Sequence, residues 1–199
     1  MKLDPSNQLE LLIHGNILKN FIFLYQEDKL PNKILLKGQK GIGKSTLAYH
    51  LINFVLSKNE DFPYDIDHFK IDKKNRSFKL INNGSNPNFF LIDIQADKKN
   101  INIDQIRNII QDLNKSSLNN KPKFVLIDNS EYLNKNSINV LLKEIEEPND
   151  NIYFILIQNQ KNLLSTLTSR FIKFNINLTY KESIFVINKL INDDIHNSV

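Results

Sequence analysis

The stretch Gly38-Gln39-Lys40-Gly41-Ile42-Gly43-Lys44-Ser45 restricts the fold of this chain more than any other. It fits the pattern G-x-x-x-x-G-K-[ST], in which glycines turn the backbone so that successive N–H groups converge on phosphate oxygens. Glycine is scarce elsewhere: three of the chain's five glycines fall inside these eight positions. The pattern has physical meaning only between a strand and a helix. Residues 33–37, Lys-Ile-Leu-Leu-Lys, form a short apolar run of the kind a buried parallel strand shows. After the loop, Leu47, Leu51, Phe54 and Val55 recur at helical spacing, so a helix beginning near Lys44 adds the positive end of its dipole. On this reading Gly38, Gly41, Ile42, Gly43, Lys44, Ser45 and Thr46 form a phosphate-binding segment for ATP. Lys44 reaches the β- and γ-phosphates and the Ser45 hydroxyl ligates Mg²⁺. The plainer alternative is a glycine-rich turn joining strand to helix.

Further apolar runs predict strands at 89–94, 123–128, 152–157 and 171–176. Between them lie helical patterns. One spans 16–25, with Asn16 as its cap, and one begins at a cap on Asp104 and carries Ile106, Ile109, Ile110 and Leu113. Another presents Ile138, Leu141, Leu142 and Ile145 on one face and is ended by Pro148. Residues 59–87, punctuated by Pro63, Asn82-Asn83-Gly84 and Pro87, read as a long irregular connection. Strands alternating with helices predict an α/β fold: a five-stranded parallel sheet with helices on both faces. Ligands of such sheets bind beyond the carboxyl ends of the strands, where the loop at 38–45, Asp128 and the segment after Ile157 all fall.

Composition places the chain among ordinary globular domains, with 41% hydrophobic and 24% charged residues over 199 positions. No apolar run reaches the length of a membrane span, and the start Met1-Lys2-Leu3-Asp4-Pro5 lacks a signal-peptide core, so no membrane association and a cytoplasmic location are expected. The chain has no cysteine, which excludes disulfides and thiolate zinc sites. His14, His50, His68 and His196 have no metal-ligand spacing and read as surface or core residues. A net charge of +4 tolerates a polyanionic partner without demanding one, and the pairs Lys73-Lys74 and Lys98-Lys99 read first as solvated surface.

A phosphate loop needs a second strand that ends in an acid to hold Mg²⁺. Phe124-Val125-Leu126-Ile127-Asp128 supplies one, and Asp128 joins Ser45 as a candidate Mg²⁺ residue. Farther on, the chain reads Asn139-Val140-Leu141-Leu142-Lys143-Glu144-Ile145-Glu146-Glu147-Pro148, then Leu163-Leu164-Ser165-Thr166-Leu167-Thr168-Ser169-Arg170-Phe171. Together with the loop, and with Asn86-Pro87-Asn88-Phe89 and Ile103-Asp104-Gln105-Ile106-Arg107, these segments resemble the clamp-loader ATPases of bacterial replication, P-loop NTPases of the AAA+ class. The resemblance runs over roughly residues 10 to 190.

That resemblance implies an AAA+ domain at 1–177 and the beginning of a helical lid at 178–199, truncated relative to the family. It implies a subunit of the replicative polymerase's clamp loader that binds ATP and Mg²⁺. Its partners would be other loader subunits in a hetero-oligomeric ring, the sliding clamp, and primed DNA reached through the assembled complex. Arg170 matches the arginine that the family points into a neighbour's ATP site. Either Gln158 or Asn159 would sense the γ-phosphate. Lys98, Lys99 and Arg107 lie where the family's ring-lining helices track DNA.

Departures from the pattern matter as well. Hydrolysing relatives carry Glu after the strand acid, whereas Asn129 cannot act as a base, so weak hydrolysis is expected. Glu131 stands two positions later, past the strand end, where it is not expected to substitute for that glutamate. Phe171 replaces the family's cysteine after the arginine. The cysteine zinc module common in the family is missing from residues 59–87, so no zinc is expected. The alternatives are a hydrolysing motor subunit, which Asn129 disfavours, and a nucleotide-free structural stator, which the intact Lys44-Ser45 disfavours. A small-molecule kinase fits worst, because Arg76, Arg107 and Arg170 are scattered.

Overall fold

The computed structural model describes residues 4–95, 98–113, 120–146, 151–159, 163 and 165–196, with side chains up to position 189 in the last stretch. Its elements run α1 (Gly15–Gln26), β1 (Lys33–Lys37), α2 (Lys44–Ser57), α3 (Arg76–Asn82), β2 (Phe89–Ile92), α4 (Ile103–Leu113) and β3 (Lys123–Ile127). They continue with α5 (Lys135–Glu146), β4 (Ile152–Gln158), the single turn α6 (Ser165–Thr168), β5 (Ile172–Asn175) and α7 (Tyr180–His196). The five strands form one parallel sheet in the order β2-β3-β4-β1-β5.

Period-two alternation sorts the strand side chains into two cores. Ile34, Leu36, Phe124, Leu126, Ile155 and Ile157 face the layer that carries α1, α2 and α3. Leu35, Val125, Ile127, Phe154 and Leu156 face the layer that carries α4 and α5. Because both faces are covered, β3 is buried at every position, which is why it reads as an unbroken apolar run rather than an alternating one. Each such Leu, Ile or Phe contributes roughly 1.5–3 kcal/mol by leaving water. Phe21 of α1 meets Phe174 of β5 edge-on at 4.8 Å, tying that helix to the sheet, and within the sheet Phe124 of β3 stacks on Tyr153 of β4 at 5.1 Å.

Several expectations about helix ends and loops are corrected. The cap of α1 is His14, in the left-handed region at φ 67°, not Asn16, which lies inside the helix. The Asp104 N–H is bound by the Asn102 side chain at 3.1 Å, so Asn102 supplies the local cap and Asp104 lies in the first turn of α4. Residues 59–87 are not wholly irregular, since they contain α3. Asn75 caps that helix by accepting the Phe78 N–H at 2.7 Å, donates to the Phe62 carbonyl at 2.7 Å, and bonds Asn53 of α2 at 3.0 Å. Glu60 takes both the N–H and the hydroxyl of Ser77, at 2.9 and 2.6 Å. Two helical turns are too short to display periodicity, so these polar ties specify α3 more than any apolar face does. Pro148 lies outside the described residues, as do Glu147 and Leu164.

His50, fully buried on α2, links the same layer to the start of the chain. Its Nδ1 stands 2.8 Å from the Tyr64 hydroxyl and its Nε2 3.1 Å from the Gln8 carbonyl. Both contacts suit one neutral tautomer, in which Nε2–H donates to Gln8 and Nδ1 accepts from Tyr64. Burial pushes the His50 pKa down to about 4, against a weaker upward pull from the Gln8 carbonyl.

Candidate nucleotide site

The strands end together at one rim. Registers Lys37↔Gln158 and Ile127↔Leu156 place the loop after β1, the end of β4 and the residue after β3 side by side, with β4 in the middle. Gly38 extends β1 by donating its N–H to the Gln158 carbonyl at 3.2 Å. A Cβ on Gly38 would lie 2.2 Å from the Ile176 carbonyl oxygen, so only glycine fits beside the strand that returns from β5. Gly41 and Gly43 are required for a different reason, their φ values of 84° and 85°. The loop then enters α2, whose first intrahelical bond is Leu47 N–H to the Gly43 carbonyl. The backbone N–H groups of Gly41, Ile42, Gly43, Lys44 and Ser45 donate to no acceptor among the described residues. Five such donors at the positive end of a 14-residue helix are groups of the kind an anion takes.

Lys44 is buried, and its Nζ donates to the carbonyls of Gly38 at 3.0 Å and Gln39, and to Oδ1 of Asn159 at 2.9 Å. Burial lowers its pKa, while Asp128 and then Glu131 pull it back up. Ser45 Oγ donates to Asp128 Oδ2 at 2.6 Å, spanning the end of β4. Burial raises the Asp128 carboxyl and nearby Asp93 adds to this; the Ser45 hydroxyl, the Asn129 N–H and Lys44 hold it down. A hydroxyl and a carboxylate in contact are oxygen donors of the kind a hard cation such as Mg²⁺ takes, so the residues present fit that ion. Among the described residues no group of three or more His, Cys, Asp or Glu side chains gathers as a metal cluster. Thr46 lies in the first turn of α2, half-buried.

Of the two sensor candidates, the structure brings Asn159 to Lys44, whereas Gln158 faces the loop with its backbone carbonyl. Asn159 also donates from Nδ2 to Asn129 Oδ1 at 3.2 Å and to Glu131 Oε1 at 2.8 Å, and from its N–H to Glu131 Oε2 at 3.3 Å. Glu131 lies past the end of β3, as expected, in a single 3-10 turn, and its carboxylate folds back onto the rim. Asn129, at φ 49°, donates its N–H to Asp128 Oδ1 at 2.7 Å and its Nδ2 to Asp93 Oδ1 at 2.8 Å. Sequence reasoning passed over Asp93, although its signal was the same as that of Asp128: an acid that ends an apolar strand run. It also missed His14, whose Nε2 lies 2.6 Å from the carbonyl of Ile42.

Arg170 does not join this group. Its guanidinium donates to the Thr166 carbonyl and pairs with Glu146 at the end of α5, and it is exposed. Lys98 and Lys99 precede α4 on exposed positions, while Arg107, on α4, pairs with Asp104 at 3.4 Å. Among the described residues no helix is long and apolar enough to cross a membrane.

Comparison with known proteins shows the family of the chain. The family model described as DNA polymerase III, delta subunit, matches residues 13–179. The chain is 31% identical over 137 residues to DNA polymerase III subunit delta' of Pseudomonas aeruginosa, covering 68% of this chain and 40% of that protein. It is 30% identical over 171 residues to subunit delta' of Buchnera aphidicola, covering 83% and 49%. A subunit gamma from another Buchnera aphidicola strain is 29% identical, covering 92% and 48%. The chain thus spans about half the length, or less, of these relatives. Among solved structures, a gamma subunit-related protein of DNA polymerase III from Thermotoga maritima superposes with a TM-score of 0.56 at 21% identity, covering 81% of this chain and 47% of the other. The Thermotoga maritima RuvB Holliday junction branch migration motor superposes with a TM-score of 0.51 at 19% identity, covering 90% and 51%. These two likenesses concern the fold, which is that of the AAA+ P-loop proteins.

Proposed function

The chain belongs to the DNA polymerase III delta-subunit family of the clamp loader, and from that premise we propose that it is a loader subunit that binds ATP·Mg²⁺, cleaves it weakly and supplies an arginine to a neighbouring subunit. The observation that carries this is the convergence of the 38–45 loop, Lys44, Asn159 and the Ser45–Asp128 contact at one sheet rim. The free amides from Gly41 to Ser45 and the start of α2 bind phosphate oxygens. Lys44 donates to the β- and γ-phosphates, and Asn159, already in contact with Lys44, senses the γ-phosphate. Ser45 and Asp128 hold Mg²⁺, which when bound neutralises phosphate charge. Asn129 orients through hydrogen bonds but takes no proton, so turnover by the isolated chain is slow.

In the assembled ring Arg170 leaves Glu146 and faces the neighbour's ATP, where such an arginine stabilises charge that develops during cleavage. Residues 178–199 serve as the start of the lid, and the subunit acts in the cytoplasm with its ring partners, the sliding clamp and primed DNA. Two measurements test the reading. ATP titration should show Lys44→Ala weakening binding by about tenfold to a hundredfold, the size of a lost charge-assisted hydrogen bond; equal affinity for both chains removes the site. In a reconstituted loader, Arg170→Ala should cut DNA-stimulated turnover by roughly 10³-fold or more, and unchanged turnover removes the finger. A second reading, a hydrolysing gamma/tau-like motor, draws support from the carboxylates of Asp93 and Glu131 at the same rim. Rapid turnover by the isolated chain would favour it.

A further inference from the structure

His14 lies next to the phosphate loop with no role in the reading above. It is buried, with 6% of its surface exposed, and sits at the N-cap of α1 in the left-handed region. Its own carbonyl accepts the Leu18 N–H at 3.0 Å, so its backbone starts the helix. Its side chain does something else. Nε2 stands 2.6 Å from the carbonyl oxygen of Ile42, which has no hydrogen to give, so Nε2 carries the proton and donates. The ring also lies against Gly43, where a Cβ would come within 3.6 Å of His14 Cδ2.

The Ile42 carbonyl and the Gly43 N–H belong to the same peptide unit. That unit is trans, so the two groups point in opposite directions. A donor that draws the carbonyl to one side thereby turns the N–H to the other. The neighbouring glycines, both at positive φ, leave the peptide few steric constraints of its own, so an outside group must fix its rotation.

We propose that His14 is a positioning residue for phosphate binding: by holding the Ile42 carbonyl it aims the Gly43 N–H at the nucleotide's phosphates. The ligand class is a polyphosphate, and the effect falls on the phosphates rather than on the base or sugar. The proposal rests on the nucleotide-binding reading above and deepens it.

The test uses calorimetric titration of the whole chain with ATP·Mg²⁺ and, separately, with tripolyphosphate·Mg²⁺. His14→Asn keeps a residue that tolerates the left-handed backbone but is too short to reach Ile42. His14→Gln restores an N–H donor on a longer side chain. His14→Asn should weaken both ligands by a similar factor, on the order of tenfold to a hundredfold, and His14→Gln should recover most of it. Wild-type affinity in His14→Asn overturns the proposal and leaves the nucleotide site standing. A loss confined to ATP overturns it too, because the effect would then lie at the base or sugar. A loss that His14→Gln does not recover assigns His14 a packing role only and likewise overturns it. A wild-type chain that binds neither ligand removes the nucleotide reading and this proposal together.

Discussion

Acid should weaken this protein through one buried imidazole. The folded state holds His50 at a pKa of about 4 against an ordinary 6.5, because burial penalises the cation. The unfolded chain takes up that proton first, so stability is full above the ordinary value and declines as the pH falls below 6.5 toward 4. The whole gap corresponds to at most about 3.4 kcal/mol, and the part lost between pH 7 and pH 4.5 is roughly 2 kcal/mol. Other groups titrate in the same window, and the raised Asp128 carboxyl acts with the opposite sign. A double difference removes them. His50→Gln keeps a donor for Gln8 and an acceptor for Tyr64 and cannot titrate. Urea unfolding of both chains at the two pH values yields the quantity directly: the wild-type midpoint should fall by about 1 M more than that of the variant, for a denaturant slope near 2 kcal/mol/M. Equal pH dependence in the two chains would refute the argument, because it would mean that His50 is solvated or charged in the fold.

The loop glycines should separate by mechanism. Gly38→Ala drives a Cβ into the Ile176 backbone carbonyl and should severely lower the melting temperature, whereas Gly41→Ala, with open space around it, should cost only about 1–2 kcal/mol for its left-handed φ; equal melting of the two variants would contradict the packing described. Asp128→Asn should melt higher than wild type at neutral pH in the presence of EDTA. A carboxyl raised by burial stabilises the fold fully below its unfolded value and loses that contribution as the pH rises through its folded value, so at neutral pH the charge is a burden that Asn lacks. The same variant should lose Mg²⁺-dependent ATP binding, and a lower melting temperature would show that the Ser45 bond outweighs the cost of burial. Asn159→Ala should weaken ATP binding more than Gln158→Ala, as read by titration, because the Asn159 side chain accepts a hydrogen bond from Lys44.

The parts of the fold legible in the sequence are those set by burial and by steric permission. All five strands lie within the apolar runs that predict them, give or take two residues at an end, because a strand covered on both faces has no polar side to disguise it. The loop is legible because positive φ and close approach to Ile176 leave no residue but glycine. What stays hidden depends on partners supplied by other segments. The choice between Gln158 and Asn159, the inward turn of Glu131 and the Asp93–Asn129 bond are each decided across two or three strands, and no local pattern encodes them. His14 was hidden for the same reason, since its acceptor lies 28 residues away. The helix caps failed differently: Asn16 and Asp104 are acceptable capping types, each two positions from the residue that does the capping.

The order β2-β3-β4-β1-β5 makes β4 a keystone. Ser45 and Asp128 meet as the two sides of an arch whose span is one strand wide, and β4 fills that span with hydrogen bonds to both neighbours. Deleting one residue within β4 would exchange which of its side chains face each core, and would draw Asn159 back along the strand by about 3.3 Å. A length change inside this strand would therefore disable the rim even with every residue of the glycine loop intact.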